Sequence, residues 1–477
     1  MEKRNGTMMQ YFEWYLPSDC MHWKNLGSRA ESLRLDGITA LWLPPATKGA
    51  FGKDGVGYAV YDLYDLGEFD QKGSVPTKYG TKDEYLAAVK ACQKAGIEVY
   101  ADIVLNHKIG ADASEMVVAR ECKADNRKEM TCADKAITAW TLFNFPGRKG
   151  RYSDFIWNST CFDGVDWDDA SKRNGVYLFK DHTWQNGVDN ENGNYDYLMG
   201  ADLDFDRPYV VEELIRWGKW YIDTTGVDGF RLDAVKHIKA EFYKEWLSQM
   251  RTYAGKDMFA VGEYWSKDVK VLENYMEQTG GSLSLFDVPL HMNFYNASVN
   301  GRQYDMRQIF AGSFVAENPM HAVTFVDNHD TQPGQALFSY VSAWFKPHAY
   351  ALILLREAGY PCVFYGDYAG ILHDNLAPVE ELKILLMCRQ KYAYGKQKDY
   401  FDDAHIVGFT REESGMAVLL SATGDGKKIM NVGTAFSARK YADILKNTDE
   451  TVIIDKDGNA EFTVKDGKVS VWLPEDI

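Results

Sequence analysis

The sequence predicts an α/β chain, a (β/α)8 barrel of the TIM type with an inserted domain after strand three and an all-β sandwich-like domain after the barrel. Three observations lead there. Short apolar runs alternate with helix-like stretches over most of the 477 residues. One interval, Asn106 to Arg207, breaks that rhythm. After roughly Lys391 the pattern turns to short alternating runs (IVGFT, MAVLLSA, KKIMNVG, TVIID, AEFTV, VSVWL) between Gly/Asp turns.

The eight candidate barrel strands are Met8–Phe12, Ala40–Leu43, Glu98–Val104, Gly229–Leu232, Phe259–Gly262, Ser284–Phe286, Ala322–Val326 and Pro361–Phe364. Amphipathic stretches lie between them. Lys82–Ala95 puts Leu86 and Val89 on one face and is followed by Gly96, a residue suited to ending a helix. A second helix opens with Pro208, where a missing N–H does no harm, and runs through Val211, Leu214, Ile215 and Ile222 to Gly226. An open doubly wound sheet is the other arrangement of alternating strands and helices, but no Gly-rich phosphate loop accompanies these strands. The interval from Asn106 to Arg207 is rich in Asp, Asn, Gly and Trp (FDGVDWDD, DNENGNYDY) and has little helical period. It is far too long for a loop in a compact barrel, so it reads as a small irregular, β-rich inserted domain. The expected division is 1–105 with 208–390 for the barrel, 106–207 for the insert and 391–477 for the C-terminal domain.

Bulk properties exclude several classes. Hydrophobic residues make up 45% and charged residues 26%, a globular composition. A formal net charge of −16 disfavours nucleic acid and anionic membrane surfaces as partners. The longest clean apolar run, Ala349–Leu355, is far short of the about 20 residues a membrane span needs. The opening MEKRNGTMMQYFEWY has no apolar stretch after Lys3 and Arg4, so no secretory leader is expected. Cys20, Cys92, Cys122, Cys132, Cys161, Cys362 and Cys388 form an odd, scattered set without a CxxC pair. That argues against a disulfide framework and a zinc site and favours a reducing cytoplasm.

Active sites of such barrels gather at the C-terminal ends of the strands. Strand three ends DIVLNH, with Asp102, Asn106 and His107. Strand four ends GFRLDAVKH, with Arg231, Asp233, Lys236 and His237. Strand five ends VGEYW, with Glu263, and strand seven ends FVDNHD, with Asp327, Asn328, His329 and Asp330. Any one of these alone reads as a cap, a solvated group or packing. Together and in this order they aim Asp233, Glu263 and Asp330 into one mouth. Arg231 lies two residues before Asp233, on the same face of the strand, where a guanidinium favours the ionised carboxylate. Glu263 has apolar FAVG before it, Tyr264 and Trp265 after it and no cationic neighbour in sequence, which predicts a raised pKa.

These four segments resemble the signature regions of glycoside hydrolase family 13. The resemblance spans essentially the whole chain. It is strongest to bacterial liquefying-type and intracellular α-amylases, through YDLYDLGEFDQKGSVPTKYG, NENGNYDYLMGADLDFD and GFRLDAVKH. It implies retaining, endo-acting hydrolysis of α-1,4 bonds in starch, glycogen or maltodextrin. Asp233 matches the nucleophile, Glu263 the general acid/base and Asp330 the third carboxylate that grips sugar hydroxyls. Arg231 matches the arginine that orients the nucleophile. His107 and His329 match hydroxyl-binding histidines, and Tyr58 matches the aromatic that stacks on the reacting sugar. Lys236 and His237 match residues of the leaving-group side. Two carboxyl groups in these roles suit double displacement.

The resemblance also implies calcium, held by side chains of Asn106, Asp196 and Asp202 and the backbone carbonyl of His237. Calcium takes six to eight hard oxygen ligands. A second metal cluster of the liquefying enzymes would map to Asp163, Asp204 and Asp206, but one of its acidic positions is Gln185 here. A further metal site between barrel and β domain is not matched by YFDDAHIVG. An α-glucan transferase of the same family, an oligosaccharide-specific amylase and a non-catalytic sugar-binding relative are the competing readings. The first usually carries further C-terminal domains and the last typically loses carboxylates. The expected partner is an α-1,4-glucan, with no nucleic acid or membrane partner, and the expected state is a monomer.

Overall fold

A computed structural model describes residues 5–475. Lys3 and Arg4, on which part of the leader reading rests, lie outside the described residues. Eight parallel strands close into a barrel. They are β1 (Met8–Gln10), β2 (Ala40–Leu43), β3 (Glu98–Ile103), β4 (Gly229–Leu232), β5 (Phe259–Gly262), β6 (Ser284–Phe286), β7 (Ala322–Phe325) and β8 (Tyr360–Phe364). Closure is direct: Met8 pairs with Ala40 on one side and Cys362 on the other. All eight sequence-read strands are present, with ends moved by no more than two residues.

Side chains alternate across this sheet, as the two-residue period requires. Met8, Ala40, Trp42, Tyr100, Val261 and Phe325 fill the barrel interior. Their neighbours Met9, Leu41, Leu43 and Val99 face outward and join the larger core under the helices. The helices begin and end where local chemistry dictates. In α1 (Lys82–Lys94) Thr81 caps the Glu84 amide while the Glu84 carboxylate takes the Thr81 amide, satisfying two otherwise orphaned donors. In α2 (Pro208–Thr225) the proline opens the first turn, and Gly226 at φ 66° ends the helix in the left-handed region.

The insert is more regular than its composition suggests. Six strands from His107–Lys108 to Ala201–Leu203 form one sheet, in which Ala113–Cys122 and Lys135–Leu142 make a long antiparallel hairpin. Turn-forming Asn, Asp and Gly sit in its connections and mask the alternation in the strands. Asp202 pairs with His107, so the sheet returns to the end of β3. After the barrel, strands from Gln397–Tyr400 to Val469–Pro474 form a six-stranded and a two-stranded sheet around a core that includes Met430, Tyr441, Phe462 and Trp472. Among the described residues no helix is long and apolar enough to cross a membrane.

Candidate active site

The site is organised by one buried arginine. Register places Arg231 on β4 beside Asp102 on β3 and Val261 on β5, pointing up the barrel axis. Its Nη1 donates to Asp102 Oδ1 at 2.9 Å and to Asp233 Oδ1 at 2.5 Å. Its Nη2 donates to Glu263 Oε2 at 2.6 Å. The guanidinium is fully buried. A planar fork of donors is the group that can hold three carboxylates at once.

The backbone sets these groups by pairing across strand ends. The Asp233 amide donates to the Ile103 carbonyl, the Glu263 amide to Leu232 and the Val235 amide to Glu263. Ala234 sits at φ 49°, a left-handed conformation unusual for a residue with a Cβ. That turn follows Asp233 directly and carries the chain into Lys236 and His237. Asp330 is presented by a separate device: the Asn328 side-chain oxygen accepts from the Asp330 and Thr331 amides. Thr331 donates to Asp327 Oδ1, and Lys346 donates to Asp327 Oδ2 at 2.8 Å.

Electrostatics differ from the sequence expectation in two respects. Asp233 is held well above its ordinary carboxylate value by burial, which outweighs the opposing pull of Arg231, while Glu263 and Asp102 raise it further. Burial raises Asp102 too, again against Arg231. One cation shared by three buried carboxylates cannot neutralise them all, so Asp233 and Asp102 retain protons to higher pH. Glu263, read from sequence as lacking a cationic neighbour, shares this cation across 32 positions of chain. Burial raises Asp330 to about 6, with Arg231 opposing.

His107, His329 and Tyr58 converge. Burial lowers His107 to about 4 and His329 to about 3, so both are neutral. His107 Nε2–H donates to the Tyr58 carbonyl at 2.9 Å, and the Nδ1 atoms of both histidines have no partner. Tyr58 donates its hydroxyl to Asp102 Oδ2 at 2.8 Å, and Trp42 donates to the same oxygen. The rings of Tyr58 and His329 are stacked at 5.0 Å, and Trp14 lies parallel to both. Lys236 donates to Glu191 Oε2 at 2.8 Å and to the Trp265 carbonyl. His237 Nδ1–H donates to the Tyr195 carbonyl, and burial lowers its pKa to about 3.

Sequence reasoning passed over a clasp behind this mouth. The buried Gln332 accepts from the Trp14 amide and donates to Glu13 Oε2, which also accepts the Tyr15 amide. It ties the loop after β7 to the loop after β1. Only the adjacency of FEWY and DTQP across the closed barrel reveals it.

Beside the mouth, Asp163, Asp196 and Asp202 bring carboxylate oxygens within 4.8 Å of one another, all buried. Burial and mutual repulsion raise Asp196 and Asp202 well above their ordinary value. Asp202 Oδ2 and Gln185 Oε1 have no partner, and the Asn106 carboxamide reaches Asp202 Oδ1 at 3.1 Å. Such oxygens, buried without a counter-charge, fit a hard cation. Asp204 stands next to His182, which binds both it and Asp163. Burial alone would lower His182, but these carboxylates lift it to about 9. Asp206 pairs with Lys239 instead.

A (β/α)8 barrel whose C-terminal mouth gathers three carboxylates, an arginine and a stack of aromatic rings belongs to the carbohydrate-cleaving hydrolases. The family profile described as "Alpha amylase, catalytic domain" matches residues 23–417, and the chain belongs to that family. It is 53% identical over 479 residues to the glucan 1,4-alpha-maltohexaosidase of Bacillus sp. (strain 707), covering 98% of this chain and 92% of that protein. It is 45% identical to the cytoplasmic alpha-amylase of Escherichia coli (strain K12), covering 99% and 100%. The crystal structure of alpha-amylase from Geobacillus thermoleovorans superposes with a TM-score of 0.65 at 19% identity, covering 98% and 97%, and shares the fold.

Proposed function

We infer that the chain is an α-amylase that cuts internal α-1,4 bonds of starch, glycogen or maltodextrin with retention. The observation that carries this reading is the single guanidinium of Arg231 holding Asp233 and Glu263 side by side. Asp233 attacks the anomeric carbon while Glu263 protonates the departing oxygen. Glu263 then deprotonates the incoming water, which releases the α-anomer. Asp330, His107 and His329 bind hydroxyls of the reacting sugar, both histidines being neutral. Tyr58 stacks on that sugar, and Lys236 and His237 face the leaving group.

Asn106, Asp196 and Asp202, with the His237 carbonyl, would hold a calcium ion. Asp163, lying against Asp196 and Asp202, adds a further carboxylate. When bound it neutralises these carboxylates and ties the insert to the barrel. The catalytic barrel comprises 1–105 and 208–390, the calcium-binding insert 106–207 and the β domain 391–477. Seven unpaired thiols and the relative named as cytoplasmic support a cytoplasmic setting, and the chain acts as a monomer.

Proton NMR of maltoheptaose during early cleavage, with calcium, tests the reading. New α-anomer ends from internal cuts support it. β-anomer ends or cyclic products refute it. A maltohexaose-dominated product mixture would favour the oligosaccharide-specific alternative, which the Bacillus relative's name motivates.

A further inference from the structure

A cavity of about 400 Å³ opens next to the leaving-group side of the mouth, bounded by α3 (Val269–Thr279), the insert segment 187–190 and the strand ends. The strand ends contribute Lys236, three residues past Asp233, and Tyr264, the residue after Glu263. Helix α3 contributes Lys270, Asn274 and Gln278, spaced four apart and therefore on one face. The cavity lies in the range of about 300–1,000 Å³ typical of small-molecule sites.

Its chemistry is nearly neutral. The Lys236 ammonium is paired with Glu191 Oε2 at 2.8 Å, and Asp189 Oδ2 accepts the Tyr264 hydroxyl at 2.6 Å. Lys270 is exposed at the rim. Carboxamides of Asn190, Asn274 and Gln278 offer donors and acceptors together. Tyr275 also lines the cavity, with its ring 5.1 Å from that of Tyr264. The Tyr275 side chain is buried, and its hydroxyl has no hydrogen-bond partner. Paired charges disfavour an anion, and the polar lining disfavours an apolar guest. Amides beside tyrosine rings suit a neutral polyol, whose hydroxyls both donate and accept and whose C–H faces pack on rings.

We propose that this cavity is an accessory glucan site that holds glucosyl units of a polymeric or branched substrate outside the cleft, on the leaving-group side. The proposal rests on the α-glucan reading above. It assigns Asn274 and Gln278 to substrate capture and to no chemical step. A short linear oligosaccharide that fills only the cleft does not reach them.

The test is steady-state kinetics of the full-length enzyme and its Asn274→Ala/Gln278→Ala variant on glycogen and on maltotetraose. Both side chains are exposed on a helix surface, so the fold should survive. A cavity-filling Asn274→Trp variant provides an independent block. The expected result is a five- to tenfold fall in kcat/KM on glycogen through KM, with maltotetraose unchanged for both variants. Equal losses on both substrates, or none on either, overturn the proposal. Inhibition of glycogen cleavage by inorganic phosphate in the parent alone also overturns it, by marking an anion site. A parent enzyme that cleaves neither substrate would instead refute the α-glucan reading.

Discussion

Replacing Asp233 by Asn should abolish turnover and yet raise the melting temperature at neutral pH. Burial keeps Asp233 protonated in the folded chain to a pH well above 3.8, its ordinary value. Over that interval the unfolded chain has released the proton and the folded chain has not. The unfolded state therefore binds fewer protons, and stability falls as pH rises, by about 1.4 kcal/mol per pH unit for one such group. Below pH 3.8 both states hold the proton and this contribution is nil. Asparagine keeps an acceptor for Arg231 Nη1 but cannot ionise, so the Asp233→Asn enzyme escapes the loss. It also leaves Arg231 to serve two carboxylates, Asp102 and Glu263, instead of three. One pH unit of linkage corresponds to a shift of about 2 °C in a barrel of this size, at about 2.1 cal/mol/K of unfolding entropy per residue. The assay is calorimetry of both enzymes from pH 4 to 8 in saturating calcium, alongside turnover on maltoheptaose. The gap in melting temperature should open as pH rises, while kcat falls by roughly 10⁴-fold or more. A variant that melts below the parent at pH 7, or a gap that ignores pH, would refute the view that the nucleophile is held against a desolvation penalty.

Chelation of calcium should lower both melting temperature and turnover, because it leaves Asp163, Asp196 and Asp202 facing one another. At calcium one hundred times its Kd the lost stabilisation is about 2.7 kcal/mol, and unchanged melting and turnover after strong chelation would contradict the site. Gln332→Leu should raise KM for maltoheptaose several-fold by freeing Trp14, whereas Glu13→Gln, which preserves the same hydrogen bonds, should leave KM near the parent value; matching effects would remove the clasp from substrate positioning. Lys346→Met should cost about 3–5 kcal/mol, since it strands Asp327 and Asp367 without their shared cation. Unaltered thermal unfolding of that variant would show the pair to be neutral in the parent.

The barrel was legible because its information is local. Apolar runs of four to six residues, Pro208 and Gly226 at helix ends and the Thr81–Glu84 box are set by near neighbours in the chain. The residues proposed for catalysis were legible for a related reason. Barrel topology sends each strand's C-terminal end to one mouth, so strand order alone places Asp233, Glu263 and Asp330 together. Asp196 and Asp202 lie together, with Asn106 carried in to Asp202 from the end of β3.

The tertiary structure decided what depends on distances between remote segments. Glu263 looked apolar in sequence because Arg231 is 32 positions away, and closure of β4 against β5 puts the guanidinium at 2.6 Å. The insert looked irregular because its turns dominate its composition, while the pairing that makes it a sheet joins strands such as 107–108 and 201–203. His182 between Asp163 and Asp204, and Gln332 against Glu13, carry no local signal at all. Sequence by itself determined which groups reach the mouth and in what order, because those are properties of strand periodicity and chain direction. Their charge states were left to the fold, because desolvation and ion pairing are fixed only by what surrounds each group in space.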